Sequence, residues 1–485
     1  MGLLATYLIL LVHMMDTSIA NVALVSITTD LGVDAYDGQW VITSFGIGMA
    51  AALPFIPKVV EWLGHATALT AALLLSLASL ATCGLAESLL ALALSRFVQG
   101  VASGAVALLL QRLLLKHAGP EHRAFGLALW SSALFIAPAI GPFIGASAIS
   151  LLTWRWLFIG QLPLLLAASA FLLEEFSWKT AVSEARPNLL LAVLFTTVML
   201  CVEVGLDSAL NPDIRDKTRV LVCLVAGVTA AFLLTRVEKA RTGLFDWSLL
   251  QNGVYRTYTI QSALLGSVTL ATSLIYTLWL QLQLDLSVLD VARILAGSSI
   301  IAGISSPLIG RIKQKQLYPY MIGVGLLFLM ASFMLCIGLN PQGASSFDLV
   351  LPRLLMGLGT ALCSPAGYLA VAALSNERVL PANSLGLFTR TLSGTLFVLL
   401  SSEAARQAQL LFSEQALSKG FGTQTIGVPG APSPRLLSLL LSRSTGTEAM
   451  HLIYEFGLAI LVLLLLNLLI QNARGLRQKP AVYAS

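Results

Sequence analysis

Charge is scarce in this chain. Asp, Glu, Lys and Arg together make up 11% of its 485 residues, against about a quarter in a soluble globular protein. With 57% hydrophobic residues and a mean hydropathy of +0.84, a water-soluble fold is excluded. Cysteine is sparse as well. Cys83, Cys201, Cys223, Cys336 and Cys363 fall inside apolar runs without metal-ligand spacing, which predicts packing residues, no disulfide and no metal site. No H-E-x-x-H, serine elbow or G-x-x-x-x-G-K loop occurs, so the sequence offers neither a hydrolytic site nor an ATP-driven pump, and it names no cofactor. A net charge of +5 over this length is no nucleic-acid footprint.

What the chain has instead is long apolar runs. They lie at about 2–27, 39–57, 66–86, 89–111, 124–150, 154–173, 187–206, 219–235, 254–281, 288–309, 317–338, 350–374, 382–404 and 451–471. About 20 apolar residues in a helix cover a hydrocarbon core of roughly 30 Å. The expected fold is therefore an all-α polytopic membrane protein with fourteen transmembrane helices. The first run lacks a basic flank and continues past any cleavage site, which predicts a retained span.

With the N-terminus inside, 17 basic residues fall on the cytoplasmic side and 7 on the other, which predicts both termini in the cytoplasm. The segment 405–450 then lies outside. Its Gly/Pro/Ser-rich centre, Val428 to Pro434, reads as linker, and Arg435 to Arg443 as a short Leu-rich piece that packs on the membrane face or on a partner.

One feature breaks the apolar monotony of the first span. Asp16 sits at its middle, near the bilayer midplane, where a carboxylate costs roughly 2.5–3.5 kcal/mol and is expected to face protein or water. A carboxyl group in that position can alternate between its two protonation states, which proton coupling requires. The other reading is a structural, permanently hydrogen-bonded Asp. His13, three residues earlier on the same face, is a relay candidate or a packing histidine. Asn21 points about 140° away from Asp16. Glu203 in the seventh span is a further buried acid and a candidate second proton site.

A faint internal repeat is visible. Arg96-Phe97-Val98-Gln99-Gly100 in span 4 parallels Arg353-Leu354-Leu355-Met356-Gly357 in span 12. If spans 7 and 8 are inserted between two six-helix halves, the two segments occupy equivalent places, and parallel repeats of this kind bracket a mid-membrane substrate site in transporters. The division expected is 1–173 for the first half, 187–235 for the inserted pair and 254–471 for the second half.

These residues resemble the major facilitator superfamily, in its fourteen-helix drug:proton antiporter branch, with EmrB-type exporters the nearest pattern. The first-helix motif L-D-x-T-x-x-N-V-A-L-P appears as Asp16, Ser18, Asn21, Val22, Ala23 and Leu24, with Val25 replacing the proline. The fourth-helix motif R-x-x-Q-G is intact as Arg96, Gln99 and Gly100. The fifth-helix antiporter motif survives in part as Ala137, Gly141, Pro142, Gly145 and Ala146, with an added Pro138. The resemblance implies proton coupling at Asp16 with Arg96, a kinked and tightly packed fifth helix, and export. Trp154 to Phe158 opens span 6 as in these exporters, with the aromatics suited to an interface anchor.

The loop Pro57 to Ala66 has lost the family's charged latch. Gly303, Pro307, Gly310 and Arg311 keep its second-half counterpart better, and Arg293 has no family explanation. Asn21, Trp130, Phe388 and Arg390 are the expected substrate contacts. Arg390 reads either as an anchor for an anionic group or as a partner for a carboxylate.

The resemblance implies a proton-coupled antiporter of a bacterial inner membrane. It would expel hydrophobic or amphiphilic compounds, with a periplasmic adaptor protein and an outer-membrane channel as further partners. Export of one metabolite, siderophore-like compound or lipid is the alternative. A membrane enzyme using His13, Asp16 and Glu203 lacks any catalytic spacing.

Overall fold

Inside a bilayer the backbone must satisfy its own hydrogen bonds, so long apolar runs become helices. The computed structural model is helical in this way. It describes residues 2–33, 38, 40–119, 122–173, 187–210, 217–240, 245–312, 314–341, 343–372, 374, 378–418 and 434–475. No strand occurs among them.

The first group of helices is α1 (Gly2–Leu31), α2 (Trp40–Ala52), α3 (Ile56–Leu63), α4 (His65–Gly84), α5 (Leu89–Ala118), α6 (Arg123–Leu151), α7 (Trp156–Ile159) and α8 (Leu162–Leu173). A pair follows, α9 (Leu189–Leu210) and α10 (Lys217–Ala240). The last group is α11 (Gly253–Gln283), α12 (Val288–Gly310), α13 (Tyr318–Ile337), α14 (Ser346–Cys363), α15 (Pro365–Ala372), α16 (Val379–Ser418) and α17 (Pro434–Gly475). Ten described helices are long and apolar enough to cross a membrane, and three shorter apolar helices lie at 3–16, 156–170 and 189–205.

Breaks fall where local chemistry demands them. α2 passes through a 3₁₀ turn at Leu53–Phe55 into α3, with Pro54 and Pro57 placed where a missing N–H is harmless. Gly64 between α3 and α4 has φ +78°, a region where a side chain would strain the backbone. Pro365 cannot donate to the preceding turn, so the run expected at 350–374 splits into α14 and α15.

At the other extreme, α16 and α17 run 40 and 42 residues, about twice what a crossing needs. The non-spanning segment expected over 405–450 is therefore helical at both ends, through Ser418 and from Pro434; 419–433, with nearly all of the linker expected at 428–434, lies outside the described residues. The reason is propensity. Ala, Gln and Leu dominate 404–418 and prolong the helix beyond the apolar stretch.

α9 packs on α10 and also reaches α2 and α16, so the intervening pair touches both groups. α10 exposes Leu221, Leu224, Val228 and Phe232, as expected of a lipid-facing helix. The two groups meet along α6 with α12 and along α2 with α16.

Within each group the same glycine permits the same close approach. A Cβ on Gly100 of α5 would strike the Phe45 carbonyl oxygen of α2, and one on Gly357 of α14 would strike the Ser298 carbonyl oxygen of α12. Arg96 donates to Gln99 three residues on, and Arg353 to Met356. The repeat seen in five residues of sequence is thus a repeat of contacts.

Candidate functional site

Asp16 is 2% exposed on α1, and its carboxylate is held from a distant part of the chain. Gln161 lies where α7 stops and α8 has not begun. From there its Nε2 donates to Asp16 Oδ1 at 2.8 Å and to the Leu157 carbonyl at 2.8 Å. Helix interruption is what frees a polar side chain to turn inward.

Arg96 on α5 is 1% exposed. Its Nε donates to the Val41 carbonyl at 3.0 Å, its Nη1 to Gln99 Oε1 at 2.7 Å, and the guanidinium lies 4.4 Å from the Phe45 ring centroid. The Cys83 thiol also donates to Gln99 Oε1, at 3.6 Å. With its oxygen engaged twice, Gln99 keeps its nitrogen free of protein acceptors in hydrogen-bond geometry, beside the Asp16 carboxyl. Arg96 is thereby committed to neutral acceptors and acts on Asp16 through charge. A carboxylate near a cation it does not directly bind, with an amide beside both, is not locked into an ion pair.

His13 is differently employed. Its Nδ1 lies 2.9 Å from the Ile9 carbonyl, which only accepts, so Nδ1 carries the proton. Nε2, 2.9 Å from Ser76 Oγ, accepts from that hydroxyl. Both nitrogens are used, and they tie α1 to itself and to α4. Glu203, 5% exposed, lies beside Gly46 and Ala50 of α2 and Thr395 of α16, in the seam between the two groups. The Asn21 side chain is outside the described residues.

A cavity of about 140 Å³ opens between the groups, away from Asp16 and Arg96, neither of which lines it. From the first group come Gln111, Trp130 and Phe135, and from the second Tyr258, Thr269 and Arg390, among others. Trp130 is fixed by its Nε1, which donates to the Ala107 carbonyl at 3.2 Å. Contacts beside the cavity join the groups: Ser306 donates to the Ala128 carbonyl at 3.2 Å, and Arg311 lies 5.0 Å from the Phe125 ring centroid.

Phe388 does not line this cavity. Its ring packs on Phe245 at 4.9 Å and Phe195 at 5.6 Å, so it fastens α16 to α9. Trp154, expected at the interface, is 3% exposed and donates to Asp30 Oδ2 at 3.0 Å, while Trp156 is the exposed ring. Arg293 pairs with Asp290 at 2.8 Å in the first turns of α12, a surface ion pair that accounts for its presence. Gly141 and Gly145 are buried on α6, a helix continuous through positions 138 and 142; the side chains of Pro138 and Pro142 are outside the described residues. No metal-binding cluster occurs among the described residues. Sequence reasoning missed Gln161. The one available signal was a polar residue inside the sixth span, where Arg155 and Ser169 are the other polar side chains.

The sequence profile of the Major Facilitator Superfamily matches residues 6–398. The multidrug export protein EmrB of Haemophilus influenzae is 27% identical over 424 residues, covering 84% of this chain and 82% of that protein. The probable multidrug resistance protein EmrY of Escherichia coli is 28% identical over 81% of this chain and 77% of its own. The fatty acid resistance protein FarB of Neisseria gonorrhoeae is 24% identical over 79% and 76%.

Among solved structures, one from work on substrate recognition in proton-dependent oligopeptide transporters superposes with a TM-score of 0.62 at 15% identity, covering 98% of this chain and 99% of that one. The human organic anion transporter MFSD10 gives 0.54 at 15% identity, covering 94% and 98%. At such identity these two likenesses concern the fold alone. With a family match over most of its length and helices long and apolar enough to span a membrane, this multi-pass membrane chain belongs to the Major Facilitator Superfamily and is a transporter of the EmrB type.

Proposed function

We propose that the chain is a proton-coupled antiporter that expels hydrophobic or amphiphilic compounds from the cytoplasm by alternating access. The observation that carries this reading is the Asp16 carboxylate, buried mid-helix and held by Gln161, with Arg96 beside it but bonded elsewhere. Protonation of Asp16 from one side removes the charge that Arg96 attracts and favours one arrangement of the two helix groups. Substrate in the central cavity favours the other, so the two ligands drive one two-state equilibrium in opposite directions. No cofactor is required, since the proton gradient supplies the work.

The excess of basic residues in one set of loops supports an inner-membrane protein with both termini in the cytoplasm. On that orientation the long ends of α16 and α17 project outward, where a periplasmic adaptor and an outer-membrane channel would dock. The similarity to the multidrug export protein EmrB and to the probable multidrug resistance protein EmrY supports export of drug-like compounds. Export of one metabolite, siderophore-like compound or lipid is the second reading, favoured by the charge of the cavity wall.

The test is substrate efflux from proteoliposomes under an imposed pH gradient, native chain against Asp16→Asn. Gradient-dependent efflux that is lost in Asp16→Asn, with substrate binding retained, supports proton antiport. Equal efflux from both chains makes Asp16 structural and the reading wrong.

A further inference from the structure

Arg390 lies on α16 with its side chain against α11. A Cβ on Gly266 of α11 would come within 3.0 Å of Arg390 Nε, 3.2 Å of Cγ and 3.5 Å of Cδ, so the glycine is what lets the side chain extend along the helix into the cavity. Among the described residues no carboxylate pairs with this guanidinium. The ion pairs among the described residues engage Arg155, Arg293 and Arg378 instead. The cavity wall contains no Asp, Glu, Lys or His, and Arg390 is its one formal charge among the described residues.

Among the described residues two arginines are buried outright, whereas Arg390 is half-buried. Arg96 and Arg353 are each 2% exposed or less, and each donates to protein partners: Val41 and Gln99 in one case, and in the other Ser273 and Met356 through the two terminal nitrogens. Arg390 alone among the three faces space that a ligand can enter. A guanidinium stays protonated in proteins, and in a low-dielectric cavity its charge attracts an anion far more strongly than in water. The same charge, with no acid to offset it, repels a cation. Around it stand Trp130, Phe135, Tyr255 and Tyr258, an aromatic wall suited to an apolar body.

Resting on the export reading above, we propose that Arg390 is the charge-selecting residue of the substrate site. The cavity takes hydrophobic compounds bearing one anionic group, a carboxylate above all, and discriminates against lipophilic cations. The planar fork of Arg390 would receive the two carboxylate oxygens side by side.

The test uses the purified full-length chain and two probes that differ only at the head: pyrenebutyrate and the uncharged pyrenebutanamide, with tetraphenylphosphonium as the cation. Binding is read by pyrene fluorescence and by competition. The native chain is expected to bind the acid at least about 10-fold more tightly than the amide, and tetraphenylphosphonium to compete poorly. Arg390→Gln is expected to weaken the acid by about 10- to 100-fold and the amide by less than about 2-fold. Arg390→Lys, which keeps the charge, is expected to retain a preference for the acid.

Equal binding of acid and amide by the native chain overturns the inference and needs no variant to do so. An unchanged preference in Arg390→Gln overturns it as well, as does its complete loss in Arg390→Lys. Transport is measured separately in proteoliposomes. A native chain that prefers the acid in binding yet moves neither probe under an imposed pH gradient refutes the export reading while the binding inference stands.

Discussion

Gln161 donates its side-chain amide to the Asp16 carboxylate at 2.8 Å, across 145 residues of chain. The bond joins the middle of α1 to the break between α7 and α8. It places the carboxylate under the control of a helix interruption that no first-helix motif contains.

Replacing Gln161 by Leu keeps the volume and removes the donor, which leaves Asp16 Oδ1 without that partner. Gradient-driven efflux is expected to fall about 10-fold, with substrate affinity changed by less than about 2-fold, because a hydrogen bond to a charged group is worth about 1.5–3 kcal/mol. Efflux kinetics beside equilibrium binding checks this. Unaltered efflux would make the bond incidental to coupling.

Arg96→Lys should lower stability by about 1–3 kcal/mol although the charge is kept. Lysine cannot offer a second fixed donor to the Val41 carbonyl while holding Gln99 Oε1, nor lie flat on the Phe45 ring. Thermal unfolding in detergent reads the loss, and a lysine variant as stable as the native chain contradicts the account.

Gly100→Ala and Gly357→Ala are expected to destabilise the chain in parallel, by about 1–3 kcal/mol each, since both new methyl groups meet backbone oxygen of a neighbouring helix. Gly253→Ala, where nothing lies within 4 Å, is the control and should change stability little. A marked difference between the first two would break the equivalence of the halves.

Asp30 lies beyond the apolar part of α1. Its carboxyl is held below the ordinary value of 3.8 by the hydrogen bond from Arg155 and then by that from Trp154. A depressed carboxyl stabilises the fold fully above its unfolded value and loses that contribution as pH falls through the lower folded value. The native chain should therefore lose thermal stability on acidification below about pH 4 more steeply than Asp30→Asn. The melting temperature across pH 2–7 decides it, and coincident profiles would remove Asp30 as the cause.

The sequence by itself determined the membrane class and the approximate spans, and it singled out Asp16 as a lone charge inside the first of them. Apolar run length and a lone charge inside such a run are properties of one dimension, and they survive any packing. Arg96, Gln99 and Gly100 were legible for a related reason: their spacing places them on one helix, where the Arg-to-Gln bond is local. Only the tertiary structure decided who meets whom. It turned Gln161 onto Asp16, engaged both nitrogens of His13 with Ile9 and Ser76, put Phe388 in an aromatic cluster with the intervening helices, and left Arg390 facing a cavity. Those outcomes depend on which helix faces lie together and on where a helix breaks. Hydropathy cannot carry that information, because in a membrane the lipid-facing and protein-facing sides of a helix are nearly alike in apolar character.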